Sequence, residues 1–349
     1  MIPLFRPSCS DLEIRNVTEV LRSGWWSCGP KVAELEEEFA KRTNIQHAVA
    51  VSNCTSALQI ACEALGVRGG EVIIPALTFA ATGLSVLHSG AQIVFADINE
   101  DTLCIDWEDA DRKVNSRTRA IIPVWYGGKT AAIAPYCRHS PPIIEDCAHA
   151  AGSLHAGYNG VAACWSFNAV KNLASGDGGM ITTNDAELAD RIRKLRRFGI
   201  DKEQSSWDYN IPVAGWKADM NDITAALALA QLARLDEMNE LRRKIVLTYM
   251  KEFRDLDWLK LPSWDAHSSW HMFVARTQRR DDLITHLLRW GVSAGVHYKP
   301  LNQHGIFGEY QELPVTDRVW KTLVTLPLYP DMTENDVEQV VDAVRSFRV

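Results

Sequence analysis

Short apolar runs of strand length alternate with segments of helical length through the first half of the chain. Segments such as 55–65 and 78–89 lie between most of the runs. Strands separated by helices need crossover connections, which favour a mostly parallel sheet with helices on both faces. Ligands of such sheets bind at the carboxyl ends of the strands, so we expect functional residues directly after the runs. The runs are 47–51, 72–74, 92–95, 120–124, 143–144 and 180–183.

The segments on either side of this pattern are predominantly helical. Ser10 and Glu13 form the S-x-x-E pattern of a capping box, which predicts a helix ending before Gly24. A long helical pattern, 222–253, is predicted to lead into a second unit with strand-like runs at 272–275 and 292–296 and helices at 281–290 and 334–347. We therefore predict a large α/β domain over residues 1–240 and a smaller C-terminal α+β domain over 241–349.

Charge and composition exclude several functional classes. The 349 residues carry 37 Lys and Arg against 44 Asp and Glu, a net charge of −7, without any basic block. No apolar run reaches the ~18 residues that cross a bilayer, and the N-terminus lacks the pattern of a secretory signal. The eight cysteines include no C-x-x-C pair, so we expect reduced, mostly buried thiols and no metal site. We expect a cytoplasmic protein that binds neither nucleic acid nor a membrane.

The first candidate site follows the run 47–51, where a strand leads through small residues into a helix. A helix N-terminus offers free backbone N–H groups and partial positive charge, which suit a phosphate group. The hydroxyls of Thr55 and Ser56 would add donors. An ordinary helix cap is the alternative, because Ser and Thr are favoured there without any ligand.

The second candidate site is Glu145-Asp-Cys-Ala-His149, at the end of the run 143–144. A buried carboxylate needs a partner, since an unpaired charge there costs several kcal/mol. The partner of Asp146 could be a Lys or Arg of the protein or a protonated nitrogen of a cofactor. His149 would lie close to Asp146 on the same turn.

The third candidate is Lys171, in Ser166-Phe-Asn-Ala-Val-Lys171-Asn, before a glycine-rich turn at 176–179. It could be a surface lysine, or an amine with a depressed pKa that forms a Schiff base. A phosphate cradle, a carboxylate for a ring nitrogen and an imine-forming lysine are together what pyridoxal 5′-phosphate (PLP) requires.

The motifs T-S-A-L, T-F-A-A-T, E-D-C-A-H, S-F-N-A-V-K-N and G-D-G-G follow one another in this order. In order and spacing they resemble the DegT/DnrJ/StrS family of PLP-dependent sugar aminotransferases, over nearly the whole chain. The resemblance implies the fold-type I architecture of aspartate-aminotransferase-like enzymes, with a mostly parallel seven-stranded sheet flanked by helices. It also implies a homodimer.

The resemblance assigns roles to individual residues. Lys171 matches the lysine that forms the Schiff base and acts as general base, and Asp146 matches the aspartate that pairs with the ring nitrogen. His149 corresponds to the residue beside the phenolic oxygen of the cofactor, and Phe79 to the aromatic residue on the ring face. Thr55, Ser56 and Ser166 match phosphate-binding positions, Lys217 matches a phosphate ligand supplied by the partner subunit, and His297, Tyr298 and Lys299 match the sugar-nucleotide pocket.

Three positions depart from the family pattern. Cys54 stands where Gly or Ala is usual, Asp219 replaces the usual Asn or Arg of the partner loop, and Asn302 stands where a second histidine often follows the segment 297–300. We therefore expect a conventional cofactor site with altered surroundings.

The implied function is transfer of an amino group from L-glutamate to a nucleotide-linked keto sugar, such as a 4-keto-6-deoxy hexose, for amino-sugar biosynthesis. A keto-cyclitol or another non-nucleotide acceptor is the alternative. The related 3-deoxygenating dehydratases carry His at the position of Lys171, which argues against that chemistry. A non-catalytic PLP-fold protein is disfavoured because Lys171 and Asp146 are both present.

Overall fold

The computed structural model describes residues 1–131, 141–201 and 208–348, so Cys137 lies outside the described part of the chain. The strands within these ranges are β1 (His47–Val51), β2 (Glu71–Pro75), β3 (Gln92–Ala96), β4 (Thr118–Ile121), β5 (Ile144–Asp146), β6 (Ala162–Ser166), β7 (Gly179–Thr183), β8 (Phe273–Arg276) and β9 (Leu323–Leu326). The α-helices are α1 (Asp11–Ser23), α2 (Pro30–Thr43), α3 (Cys54–Ala64), α4 (Ala80–His88), α5 (Trp107–Lys113), α6 (Ala186–Arg196), α7 (Asp222–Ala233), α8 (Leu235–Glu252), α9 (Arg280–Arg289), α10 (Pro314–Val319) and α11 (Glu334–Ser346).

The first seven strands form one sheet in the order β3-β2-β4-β5-β6-β7-β1. Parallel pairing joins β3, β2 and β4, and also β5 and β6. Parallel bridges from Ile121 to Ile143 and from Val124 to Asp146 connect the two groups. Strand β7 is antiparallel to both of its neighbours, β6 and β1. The predicted mostly parallel, seven-stranded α/β architecture is therefore confirmed.

Strand β6 is missing from the runs recognised in the sequence. Its residues, Ala-Ala-Cys-Trp-Ser, include no Val or Ile, yet all five are buried. The backbone at Gly157 comes so close that a Cβ there would lie 3.0 Å from the Cβ of Ala163 and 2.6 Å from the Trp165 ring. This close approach requires small residues at Gly157 and Ala163, so packing rather than strand propensity explains the alanine at this position of β6.

The long helical pattern beginning at Asp222 is two helices, α7 and α8, which meet at Arg234. The guanidinium of Arg234 pairs with Glu13 at 2.9 Å, and Glu13 also completes the capping box of α1 with Ser10. Burial of these contacts ties the N-terminal helix to the junction of α7 and α8.

The C-terminal part packs around β8 and β9, which pair antiparallel. An apolar cluster there includes Tyr249 of α8 and the following Phe253 together with residues of α9 and α11, and Ile2 joins it from the N-terminus. The prediction of a strand at 292–296 is wrong. This segment forms only isolated bridges, from Val292 to Ile2 and from Gly295 to Thr325. The domain boundary at residue 240 stays a prediction.

The cysteines in the described ranges are all free thiols, and five of these seven are buried. None of the helices in the described ranges combines the length and apolar character that a membrane crossing needs.

Candidate active site

A cavity of about 470 Å³ opens beyond the carboxyl ends of β1, β2, β5 and β6. The placement follows from the parallel sheet, in which strand ends from distant parts of the sequence meet at one edge. Eight of the residues singled out from the sequence line this cavity: Thr55, Phe79, Asp146, His149, Ser166, Lys171, His297 and Tyr298.

The carboxylate of Asp146 is buried in the cavity wall without a cationic partner among the described side chains. It accepts hydrogen bonds from the Thr82 hydroxyl at 2.8 Å and from the backbone N–H of Ala148 at 3.1 Å. Burial raises the pKa of Asp146, while these two donors and the charge of Lys171 oppose the rise. A carboxylate held in this way is suited to a ligand with a protonated nitrogen.

The neighbouring Glu145 points away from the cavity, as alternation along β5 requires. Its side chain is fully buried and accepts from Trp125 Nε1 at 2.8 Å. Three backbone N–H groups, of Gly157, Asn159 and Gly160, donate to it at 2.6–3.0 Å. Glu145 therefore anchors the loop before β6, and of the two acidic residues only Asp146 faces the cavity.

Lys171 lies in a loop between β6 and β7 that is closed by its own backbone hydrogen bonds. Phe167 N–H donates to Gly178 at 2.9 Å and Ala169 N–H to Gly176 at 3.0 Å. Positive φ angles of 82° at Gly176 and 136° at Gly178 permit this reversal. Burial lowers the pKa of the Lys171 amine to about 8, although the charge of Asp146 opposes the change. A substantial neutral fraction near pH 8 makes this amine a competent nucleophile.

The N-terminus of α3 lies at the cavity wall. Asn53 caps this helix by accepting the N–H of Ser56 at 2.8 Å. At Gly179, a Cβ would lie 2.8 Å from the backbone nitrogen of Cys54, so glycine lets β7 pack directly against this turn. The buried Cys54 thiol and Thr55 both reach the cavity. The helix end and the hydroxyls of Thr55 and Ser166 form a group suited to a phosphate.

His149 is held by hydrogen bonds at both ring nitrogens. The N–H of Gly127 donates to Nδ1 at 3.2 Å, and the Tyr298 hydroxyl lies 3.2 Å from Nε2. Burial, with a smaller effect of Lys171 and His297, lowers the pKa of His149 well below its usual value. Because Nδ1 accepts a backbone N–H, the neutral ring carries its proton on Nε2.

The aromatic ring of Phe79 stands at the mouth of the cavity. Its centroid lies 5.6 Å from that of Tyr298, and 59 % of the residue is exposed. A planar ligand entering the cavity would therefore gain an apolar face from Phe79 without displacing a packed side chain.

Three candidate residues are not brought to the cavity. The N–H of Ser56 is taken by Asn53, and its Oγ lies 3.4 Å from Ser52 Oγ. Lys217 is largely exposed and pairs with Asp219 at 2.5 Å. Lys299 is exposed and does not line the cavity within this chain.

Sequence reasoning missed Thr82, Asn172 and His271. Thr82 belongs to the T-F-A-A-T motif and lies one helical turn after Thr78, a spacing that places both on one face. Asn172 directly follows Lys171. His271 had no local signal, because it reaches the cavity from the distant segment before β8.

The cavity therefore combines the Lys171 amine, whose lowered pKa allows a neutral form, with the Asp146 carboxylate, which has no cationic partner among the described side chains. It also contains the N-terminus of α3 with nearby hydroxyls and the exposed aromatic face of Phe79. These groups fit the aldehyde, ring nitrogen, phosphate and ring of PLP. In the described residues no cluster of His, Cys, Asp and Glu suits a metal ion.

Comparison with known proteins agrees with this chemistry. The model of the DegT/DnrJ/EryC1/StrS aminotransferase family matches residues 7–345. The spore coat polysaccharide biosynthesis protein SpsC of Bacillus subtilis (strain 168) is 39 % identical over 376 aligned positions, which cover 99 % of this chain and 97 % of SpsC.

Solved structures superpose over almost the whole chain. The aminotransferase TlmJ from Streptoalloteichus hindustanus has a TM-score of 0.95 and 33 % identity, covering 99 % of this chain and 98 % of TlmJ. The sugar aminotransferase CalS13 from Micromonospora echinospora has a TM-score of 0.92 and 30 % identity, covering 99 % and 100 % of the two chains. Similar structures include forms with PLP and with its aminated counterpart, PMP. The chain thus belongs to the DegT/DnrJ/EryC1/StrS family and is a PLP-dependent sugar aminotransferase.

Proposed function

We propose that this chain transfers an amino group from L-glutamate to a nucleotide-linked keto sugar, such as a 4-keto-6-deoxy hexose. The observation that carries the amine-transfer chemistry is the pair formed by Lys171, with its pKa lowered to about 8, and the buried carboxylate of Asp146 in the same cavity. The relatives support the sugar part: SpsC is a polysaccharide biosynthesis protein, and PseC from Helicobacter pylori is an aminotransferase of pseudoaminic acid biosynthesis.

Asp146, Thr55, Ser166, Phe79 and Lys171 would hold the cofactor. PLP, when bound, supplies an electron sink for the carbanion formed at the substrate carbon. Asp146 would keep a proton on the ring nitrogen through a charge-assisted hydrogen bond. Phe79 would cover the ring face and exclude water from it.

Lys171 and His149 would both handle protons in this cavity. The Lys171 amine would accept the proton from the substrate carbon and return it as general acid. The Nε2–H of His149 would donate to the phenolic oxygen of the cofactor in place of the Tyr298 hydroxyl, and the low pKa of the ring keeps this donor neutral. Donor and acceptor use the same cavity in turn, so we expect ping-pong kinetics.

The acceptor would extend toward the C-terminal segment 297–299. His297 and Tyr298 line the cavity, whereas Lys299 is exposed next to them. This order suits a sugar inside the cavity and a diphosphate outside it, where an ammonium group is accessible.

We also propose a homodimer in which Lys217 serves the neighbouring site. Within its own chain this lysine is exposed and lies away from the cavity. Exposed aromatic side chains, at 56 % for Trp25 and 54 % for Trp26, offer apolar area for a symmetric interface. The proposal explains why an exposed lysine occupies the position of a phosphate ligand.

A substrate panel tests the proposed reaction. Nitrogen-15-labelled glutamate is supplied with UDP-, dTDP- and GDP-linked 4-keto sugars, a keto-inositol and simple 2-oxo acids in turn, and labelled products are identified by mass spectrometry. We expect label in at least one nucleotide-linked sugar, feeble transfer to 2-oxo acids other than 2-oxoglutarate, and none with Lys171→Ala. Efficient labelling of the cyclitol alone would replace the sugar-nucleotide acceptor with the cyclitol.

A further inference from the structure

A chain of buried amides ends on His271 at the cavity wall. Asn239 of α8 donates to the backbone oxygen of Ala151 at 3.1 Å. Asn172 donates to the Asn239 side-chain oxygen and to the backbone oxygen of Ser269, both at 2.8 Å. The remaining acceptor of Asn172, its Oδ1, lies 3.0 Å from Nδ1 of His271.

This order of donors fixes the tautomer of His271. Both amide hydrogens of Asn172 are used, so its Oδ1 accepts and His271 Nδ1 carries the hydrogen. Burial lowers the pKa of His271 well below its usual value, so the ring is neutral. Nε2 of His271 therefore presents a lone pair.

His271 lines the cavity, and its Nε2 has no hydrogen-bond partner among the described residues. Only 1 % of His271 is exposed, so a ligand would have to reach Nε2 from the cavity that this residue lines. The Phe5 ring stacks on His271 at 5.3 Å and the His149 ring packs at 4.5 Å, which leaves the ring little freedom to turn.

We propose that His271 Nε2 accepts a hydrogen bond from a hydroxyl group of the acceptor sugar and thereby determines specificity for that half of the reaction. The inference rests on the proposed function. His149 and His271 then differ at Nε2, because His149 carries a hydrogen there and faces the Tyr298 hydroxyl, whereas His271 carries a lone pair.

The chemistry of the two substrates explains why the acceptor sugar, rather than glutamate, would bind Nε2 of His271. Glutamate brings carboxylates, which cannot donate, and an amino group that is consumed at the reacting carbon. A sugar brings hydroxyls, which donate readily to a neutral imidazole nitrogen. A site built to hydrogen-bond a hydroxyl discriminates against ligands that leave its polar atom unpaired.

Two substitutions separate the two ring nitrogens of His271. His271→Asn keeps an N–H near the position of Nδ1 for Asn172 but removes Nε2. His271→Gln places an amide oxygen near the position of Nε2 as a replacement acceptor. Each half-reaction is followed separately in single turnovers, with glutamate on the PLP form and, on the PMP form, the keto sugar that the panel shows to be aminated fastest.

We expect His271→Asn to lower the efficiency of the sugar half-reaction about tenfold, mainly through weaker sugar binding, with the glutamate half-reaction changed less than about twofold. His271→Gln should recover much of the loss. Equal losses in both half-reactions, or full sugar activity in His271→Asn, would overturn the proposal. If the panel yields no aminated nucleotide sugar while glutamate still reacts, the proposed function fails instead.

Nitrogen-15 NMR of the wild-type holoenzyme gives a second test that requires no variant to fold. The imidazole shifts of His271 should report hydrogen on Nδ1 and none on Nε2. The aminated sugar product should move the Nε2 signal, whereas glutamate should not. Hydrogen on Nε2, or an Nε2 signal unmoved by the product, would contradict the proposal.

Discussion

The Thr82 hydroxyl donates a hydrogen bond of 2.8 Å to Asp146, and the hydroxyl of Thr78 lies 2.8 Å from the oxygen of Thr82. Both threonines are buried on α4 or its entry, one turn apart. The hydroxyl of Thr82 is thus a donor committed to the anionic form of Asp146, which it favours over the protonated form.

Replacing Thr82 with valine should lower kcat about tenfold, because a charged acceptor loses one of its two donors at nearly constant side-chain volume. Thr82→Ser keeps the hydroxyl and serves as the matched control. Steady-state kinetics of both variants provide the measurement. A kcat for Thr82→Val within twofold of wild type would show that this hydrogen bond does not support the ionised carboxylate.

Replacing Asp146 should lower activity, whereas replacing the adjacent Glu145 should lower stability. Asp146→Asn removes the charge that pairs with the ring nitrogen, so kcat should fall on the order of 100-fold or more while folding is retained. Activity assays and thermal unfolding of the same preparation distinguish the two effects. Near-normal kcat would mean that Asp146 is only a structural acceptor.

Glu145→Gln should instead lower stability. An amide at this position presents N–H groups toward Trp125 and three backbone donors, and the mismatch should cost about 2–4 kcal/mol of unfolding free energy. Chemical denaturation measures this loss. Unchanged stability together with lost activity would reverse the roles that we assign to Glu145 and Asp146.

Elements marked by a local sequence pattern could be predicted from the sequence. Elements that depend on contacts between distant residues became visible only in the structure. Strand β1 begins and ends where its apolar run does, because the residues after His47 are all buried and read as a continuous apolar segment. Strand β6 is equally buried, but its residues, Ala-Ala-Cys-Trp-Ser, contain no Val or Ile, and no apolar run marks it in the sequence.

The same division holds in the cavity. Lys171 and Asp146 stand in motifs directly after strands, so their position could be inferred. His271 lines the cavity and is oriented by Asn172, which in turn is held by Asn239. Asn172 and Asn239 are 67 residues apart in sequence. No local signal connects such residues, since only the folded sheet and α8 bring them together.

The pKa of Lys171 predicts how cofactor capture depends on pH. Below about 8 the amine is mostly protonated, so the rate constant for covalent PLP capture by the apoprotein should rise about tenfold per pH unit and level off above pH 8. Stopped-flow absorbance measures this rate, and Lys171→Ala should show no covalent phase. A rate still rising steeply through pH 10 would indicate an ordinary, solvated lysine.

The same shift affects the stability of the apoprotein. The folded-state pKa of Lys171, about 8, is below the ordinary value of 10.5, so the unfolded chain binds more protons between these values. Its contribution to stability therefore rises with pH from about 8 to 10.5. Comparing denaturation of wild type and Lys171→Met across that window isolates the effect, which should vanish in the variant.

Mixed dimers test the proposed role of Lys217. Lys171→Ala and Lys217→Ala protomers should each be poorly active alone. Mixing them should restore one intact site per heterodimer, or about a quarter of wild-type specific activity after random exchange. Lys171→Ala mixed with itself is the control. No recovery after verified exchange would place the action of Lys217 within its own chain.

The central claim is that Lys171 forms the Schiff base with PLP, and borohydride reduction tests it most directly. Reduction of the holoenzyme followed by proteolysis and mass spectrometry locates the stable pyridoxyl group. We predict one adduct per chain, on the peptide that contains Lys171, and its absence in the Lys171→Ala variant. A pyridoxyl group on any other lysine, or no adduct on a holoenzyme that transfers amino groups, would contradict the account.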